Sequence, residues 1–396
     1  MLIVLAFGRR RQVGADSAPE DELLVSILVP AFNEEKVLRQ AVRSLLASDY
    51  RTIEVIVVDD GSTDNTSRVA RALAAEDPRV RCLRKTNGGK ARASNHGLEH
   101  ARGEIILCVD ADTLVAPDAV RMLVRHFADP KVSAVCGNVE VGNVRSALTV
   151  FQAIEYVTSQ NLDRRALAAI NAVNVVPGAL GAWRRDVLRA AGGYAEDTLV
   201  EDADLTLTVL RAGGSVAYEP KAIARTEAPE TLSALWKQRF RWTYGTYQCL
   251  AKHRGALFRG AAGSVALPNM ILFQLLFPLL SPIGDAVMVF ALLSGNLGAV
   301  LSGYLGFLAM DLLASVIAFR LDNKPLRWLP LLLIQRFTYR QFMYLVCLRA
   351  LVAVIAGGRH GWRKLERTGT ALALPAVTPL VVPRRVAAAA PAKIAA

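Results

Sequence analysis

Two stretches late in the chain, 267–293 and 297–319, stay apolar for longer than the roughly 20 residues that cross a bilayer core. In lipid no water satisfies the backbone, so such stretches must be helical. They fix the architecture: a membrane region towards the C-terminus, with the chemistry placed before it. Pro278, Pro282 and Asp285 interrupt the first stretch, and Asp311 the second. A carboxylate facing lipid is costly, so both acids should face protein or a water-filled path. Residues 328–357 are apolar but carry Arg336, Arg340 and Arg349. That composition fits one span, or an interfacial helix followed by a span. The basic segments 320–327 and 359–364 both belong on the cytosolic side by the positive-inside bias. A single span between them would separate them, so the number of crossings stays open.

The formal net charge is +12, but the Arg and Lys residues are scattered, with no basic stripe interleaved with aromatics. That pattern points to a membrane protein and away from a nucleic-acid partner. Five widely spaced cysteines form no CxxC pair, so neither a zinc ribbon nor a disulfide framework is expected, and a reduced cytosol fits. The chain opens with seven apolar residues, then Gly8 and Arg9 to Arg11. Seven residues cannot span, and the charge order is wrong for a signal peptide. The segment reads as the end of a spanning helix whose start is missing, or as a short interfacial anchor. The arginines place the chain downstream of them in the cytosol. Residues 12–22 read as a linker.

From Val25 onward strands and helices alternate. Residues 25–29 form a short apolar run stopped by Pro30, and 54–58 another that ends at Asp59-Asp60-Gly61. Residues 80–83, 104–109 and 132–139 complete the strand pattern, with 216–218 a short addition. Helical spacing covers 35–46, 64–75 (capped by Asp64), 91–101, a segment from Pro117, 147–170, 202–210 and 231–250. The order βαβα predicts an α/β fold with a doubly wound, mostly parallel sheet, in which ligands sit at the carboxyl ends of strands. Asp60 and Asp110 both lie at such ends. The expected division is a remnant and linker (1–22), a catalytic α/β domain with interfacial helices (23–262), membrane helices (263–358), and a basic, Ala/Pro-rich tail (359–396) that is partly disordered.

Four acidic and aromatic signatures occur in order. Asp60, ahead of Gly61 and Ser62, can accept the imide N–H of uracil, although Asp-Gly-Ser-Thr-Asp is also ordinary turn-and-cap chemistry. Asp110 and Asp112 stand two apart, which in an extended segment aims both carboxylates one way. Mg²⁺ or Mn²⁺ on a diphosphate favours one or two carboxylates plus phosphate oxygens. Lys90 follows Gly88-Gly89 and opens a helix, a geometry that can cradle phosphate. Glu201, Asp202 and Asp204 begin another helix; acids suit any helix N-terminus, but three in four residues exceed that need. Asp202 is a candidate base, with Glu201 shaping the site. Gln238, Arg239, Arg241 and Trp242 offer an amide, two guanidiniums and an indole, suited to phosphate and a sugar face. An interfacial Arg/Trp belt would look similar.

The series in register resembles the processive family-2 glycosyltransferases with a GT-A fold, among them the bacterial poly-N-acetylglucosamine, chitin, hyaluronan and cellulose synthases. The matching stretches are Val-Pro-Ala-Phe-Asn-Glu (29–34), Val-Val-Asp-Asp-Gly-Ser (57–62), Val-Asp-Ala-Asp (109–112), Val-Glu-Asp-Ala-Asp (200–204) and Gln-Arg-Phe-Arg-Trp (238–242). Lys237 before the last motif, and Glu219-Pro220 ahead of it, are most similar to poly-N-acetylglucosamine synthases. Trp362, Arg367, Thr368 and Gly369 in the tail also resemble that group. Some members with such a tail are fused to an N-terminal deacetylase. Val200 stands where the family usually has threonine, and the family's N-terminal membrane helices are missing.

The resemblance implies a UDP-sugar donor, with UDP-GlcNAc favoured, held by Pro30, Asn33, Glu34, Asp60, Lys90 and Asp110. It implies Mg²⁺ or Mn²⁺ on Asp110 and Asp112, and Asp202 as base for the acceptor hydroxyl, with inversion at C1. Gln238, Arg239 and Arg241 would hold diphosphate and a gating loop, and Trp242 would stack on the growing polysaccharide. Implied partners are the lipid bilayer and an accessory export subunit or deacetylase. The implied location is the inner membrane, multi-pass, with a cytoplasmic catalytic domain. Two other readings fit parts of the pattern: a non-processive transferase acting on a polyprenyl phosphate or lipid, and a non-catalytic subunit of an export complex.

Overall fold

The computed structural model describes residues 23–295, 297–357 and 369. Expectations for 1–22 and for Trp362, Arg367, Thr368 and the Ala/Pro-rich end fall outside those residues. Strands and helices alternate as β1 (Val25–Ala31), α1 (Leu38–Leu46), β2 (Ile53–Asp59), α2 (Thr66–Glu76), β3 (Val80–Arg84), α3 (Lys90–His100) and β4 (Ile105–Cys108). Next come β5 (Leu114–Val115), α4 (Ala119–Val124) and β6 (Val132–Val141). A long helix has three parts: α5 (Ala147–Glu155), a π-helical stretch (Tyr156–Asn161) and α6 (Leu162–Ala168). β7 (Gly181–Arg184), α7 (Arg185–Ala190), α8 (Glu201–Arg211), β8 (Ser215–Thr226) and α9 (Leu232–His253) complete the domain.

All eight strands join one sheet in the order β3-β2-β1-β4-β7-β6-β8-β5. β3, β2, β1 and β4 run parallel, as does the pair β6 and β8, while β7 lies antiparallel to both its neighbours and β5 to β8. The sheet is therefore mixed, with its parallel half as expected. Strand alternation builds two cores. Ile27, Val29, Val55, Val57 and Leu107 meet α1, α2 and α4 on one face. Leu28, Ile56, Val58 and Ile106 meet α3, α6 and α8 on the other.

Four local expectations are corrected. β1 does not stop at Pro30 but runs to Ala31, whose carbonyl accepts the Asp60 amide at 2.9 Å. α1 starts at Leu38 because Asn33, with φ +54°, turns the chain first. The cap position of α2 is Asn65, while Asp64 lies one residue outside and accepts the Thr66 amide at 2.9 Å. β8 has 12 residues where three were expected, and β5 and β7 were not expected at all.

Three described helices are long and apolar enough to cross a membrane: α10 (Ala262–Leu293), α11 (Leu297–Leu321) and α12 (Leu331–Ile355). The third apolar stretch is thus a single helix, and two of its arginines, Arg336 and Arg340, pair with acids of the neighbouring helices. Arg340 and Gln341 bond Asp285 of α10, and Arg336 lies 3.3 Å from Asp311 of α11. Each acid thus meets an arginine of α12, which offsets the cost of a bare carboxylate in lipid, although Asp311 keeps 48% of its side chain exposed.

Glu219 is a structural anchor. It bonds Arg125, the His126 ring (2.8 Å) and the Lys221 amide (2.9 Å). Burial alone would raise its pKa, but the bonds from His126, Lys221 and Arg125 outweigh burial and hold it down at about 2. Its contribution to stability is therefore full above its ordinary 4.5 and is lost as pH falls through about 2. Glu219→Gln should cost on the order of 3 kcal/mol near neutral pH. Unfolding curves of the two proteins should converge as the pH is lowered across that window.

Candidate active site

The motifs at 29–34, 57–62 and 109–112 lie at the carboxyl ends of the neighbouring strands β1, β2 and β4, whereas 200–204 opens α8 and 238–242 lies within α9. Asp60 follows β2, and only 3% of it is exposed. Its carboxylate accepts the amides of Gly88 (3.0 Å) and Gly89 (2.7 Å) and the Lys85 ammonium (2.8 Å). Gly61 permits this approach: its φ is +73°, and a Cβ there would lie 2.6 Å from the Asn87 nitrogen. Asn33 braces the same loop. Its side-chain oxygen accepts the Thr63 amide (2.8 Å), while its own amide donates to Ser62 (3.0 Å). The Glu34 amide donates to the Thr66 hydroxyl at 2.6 Å. The first motif thus holds the second in place.

Lys90, the first residue of α3, is the hub. Its ammonium lies 2.6 Å from Asp110 and 3.3 Å from Glu201. Burial would lower its pKa, yet Asp110, Glu201 and Asp202 together raise it. Glu201 is shifted upward by burial and by Asp202, against the pull of Lys90 and Arg241. Asp202 accepts the Gly178 amide at 3.2 Å and the Ala203 amide at 2.9 Å. Four expected site residues, Lys90, Asp110, Glu201 and Asp202, therefore share one electrostatic cluster, and Arg241 reaches it through Glu201.

The sequence reading missed Gly178. A Cβ there would sit 2.5 Å from the Lys90 nitrogen and 3.7 Å from an Asp110 oxygen. Its only visible signal was a Pro-Gly turn with no acid or aromatic nearby. Asp204, by contrast, is structural. It accepts from His253 at 2.9 Å and Lys252 at 3.0 Å, and so clamps α8 to the end of α9. Arg211 donates to His253 Nδ1, so the ring proton sits on Nε2 and points at Asp204.

Asp110 and Asp112 do not lie on an extended segment. The Thr113 amide bonds the Asp110 carbonyl at 3.0 Å, closing a turn. Asp112 is buried, with the Thr113 and Thr226 hydroxyls each 3.5 Å away. Their two carboxylates offer hard oxygen donors, which suit Mg²⁺ or Mn²⁺ shared with phosphate oxygens.

The α9 motif divides between two tasks. Arg239 is 1% exposed; it pairs with Glu155 of α5 at 2.8 Å and bonds the Tyr339 hydroxyl of α12 at 3.3 Å. Tyr339 also donates to Glu155 at 2.6 Å. The expected diphosphate contact of Arg239 is therefore corrected: its guanidinium joins the domain to a membrane helix. It also lies 4.2 Å over the Trp242 ring. Trp242 packs against both cores, and Gln238 is buried with an Oε1 that has no hydrogen-bond partner among the described residues.

The α/β domain gathers acids and a lysine on the carboxyl side of its sheet and is continued by three helices long and apolar enough to cross a bilayer. The family model described as "Glycosyltransferase like family 2" matches residues 21–245, and the chain belongs to that family. The poly-beta-1,6-N-acetyl-D-glucosamine synthase of Staphylococcus aureus (strain COL) is 31% identical over 255 residues, which is 63% of this chain and 62% of the relative. The synthase of the same name from Staphylococcus epidermidis is 31% identical over 229 residues, 58% of this chain and 56% of the relative. The match thus spans less than two thirds of those relatives. A mannosyltransferase from Pyrobaculum calidifontis, solved with GDP-Man and Mn²⁺, aligns with a TM-score of 0.64 at 22% identity, covering 91% of this chain and 100% of that one. That likeness shows the fold.

Arg239→Leu would leave Glu155 without its cation and should cost about 3–5 kcal/mol. Tyr339→Phe keeps the ion pair and should cost about 1 kcal/mol. Denaturant or thermal unfolding in detergent would rank the two.

Proposed function

We propose that the chain is a membrane-embedded, inverting glycosyltransferase that extends a β-linked polysaccharide from a UDP-sugar, with UDP-GlcNAc as donor. The observation that carries the reading is the meeting of Lys90, Asp110, Glu201 and Asp202 at the strand ends, beside the helix of Arg241 and Trp242. The names of the Staphylococcus relatives support the sugar and the polymer. In this reading residues 23–262 form the catalytic unit and 263–358 the membrane region. The catalytic unit lies on the cytoplasmic side of the inner membrane.

Asp60 and its glycine loop take the uracil end of the donor, with Pro30, Asn33 and Glu34 shaping that wall. Asp110 and Asp112 hold a divalent cation, Mg²⁺ or Mn²⁺, which as a Lewis acid would offset charge on the departing diphosphate. Lys90 and Arg241 add positive charge on the same side. Asp202 accepts the proton of the acceptor hydroxyl as its oxygen attacks C1 from the face opposite UDP, so an α-linked donor becomes a β-linked product. The Gly178 N–H fixes one Asp202 oxygen, which orients the base. Glu201 keeps Lys90 in position. The buried Gln238 Oε1 is an acceptor that a donor hydroxyl or amide would satisfy. Trp242 offers a flat apolar face to the terminal sugar. An export subunit or deacetylase would handle the emerging polymer.

Incubating the protein in membranes with a panel of UDP-sugars and Mg²⁺ or Mn²⁺ tests the reading through UDP release and product size. UDP-GlcNAc should give polymer; a single-sugar lipid product would replace processivity with simple transfer. Asp202→Asn should lower UDP release by roughly 10²–10⁴-fold, and an unaffected rate would remove its assignment as base. Trp242→Ala should shorten the polymer while UDP affinity stays near wild type, as read by product sizing and nucleotide titration.

A further inference from the structure

We infer that the C-terminal turn of α3 carries a divalent-cation site of its own, formed by His96, Glu99 and His100 and suited to Zn²⁺, Cu²⁺ or Ni²⁺. The spacing i, i+3, i+4 places the three side chains on one helix face. Their potential ligand atoms all lie within 4.8 Å of one another. His96 Nδ1 and Glu99 Oε2 are 3.4 Å apart. An ion bound at about 2.0–2.1 Å from each would see them at about 110°, the tetrahedral angle zinc prefers. His100 is already oriented: its Nδ1 lies 2.9 Å from the His96 carbonyl. A carbonyl only accepts, so Nδ1 holds the proton and Nε2 presents its lone pair. This is the arrangement in which metal-bound histidines are usually held. The two rings meet edge to face at 4.6 Å, which keeps them together without an ion.

The site is separate from the catalytic cleft in place and in chemistry. Lys90 opens α3 and His100 closes it, so the two ends of the helix lie about 15 Å apart. Two imidazoles and one carboxylate favour borderline metals, whereas the hard oxygens at Asp110 and Asp112 favour Mg²⁺ or Mn²⁺. Glu99 has a side chain 71% exposed, so an ion can enter from solvent and keep water on its remaining positions. Arg81 donates to the His100 carbonyl, but its charge is shared with Glu54 at 3.4 Å.

The test titrates Zn²⁺ alone into the tag-free full chain in detergent, in competition with a chromophoric chelator. Wild type should hold a zinc ion that excess Mg²⁺ does not displace. The His96→Gln/His100→Gln variant should bind zinc at least tenfold more weakly, with an unchanged melting temperature in zinc-free buffer. Asp110→Asn/Asp112→Asn should bind zinc as wild type does. No zinc binding by wild type, equal binding by the histidine variant, or loss of binding in the aspartate variant would each overturn the inference.

Discussion

Lys90 lies 2.6 Å from Asp110 and 3.3 Å from Glu201, so it holds together acids delivered by the end of β4 and the start of α8. Neither element would tolerate the other's charge at that range without an intervening cation. The lysine is set there by backbone: Gly89, with φ +91°, turns the chain into α3, and Gly178 leaves room for the ammonium. The same glycine pair that aims Lys90 also donates two amides to Asp60. Asp60 and the acids around Lys90 are thus joined through four consecutive residues, Asn87 to Lys90.

Much of this was legible because the signals were local. β1, β2 and β4 are short apolar runs, so their existence could be read, and the polar residues after β2 and β4 marked their ends, whereas β1 runs one residue past the Pro30 that was expected to stop it. The length of β8 could not be read, because Glu219, Pro220, Lys221 and Arg225 break its apolar pattern, and the burial of Glu219 depends on partners such as Arg125. β5 and β7 are two and four residues long and are defined by pairing across the sheet. The antiparallel β7 inside an otherwise parallel neighbourhood follows from contacts no local pattern encodes.

The candidate site divides the same way. Residue types announced Asp60, Lys90, Asp110 and Asp202, and the fold brings the end of β4 and the starts of α3 and α8 together. Direction within a motif was harder. Asp110 and Asp112 sit on a turn, Asp204 turns away to His253, and Arg239 faces Glu155 while Arg241 lies nearer the cleft. On a helix, residues two apart point about 200° apart, so adjacent members of one signature can serve opposite sides. The membrane acids show the converse. Asp285 and Asp311 were expected to need partners, but only the packing of α12 named them as Arg340 and Arg336.

α9 is tied to α12 close to the residue that carries its indole. One side is bolted to α12 through Arg239 and Tyr339, and a guanidinium width away the same helix carries the indole. A change in bilayer thickness that tilts the third span would be transmitted through that bolt to the platform. The position of the Trp242 indole is therefore set in part from outside the α/β domain, by where α12 sits.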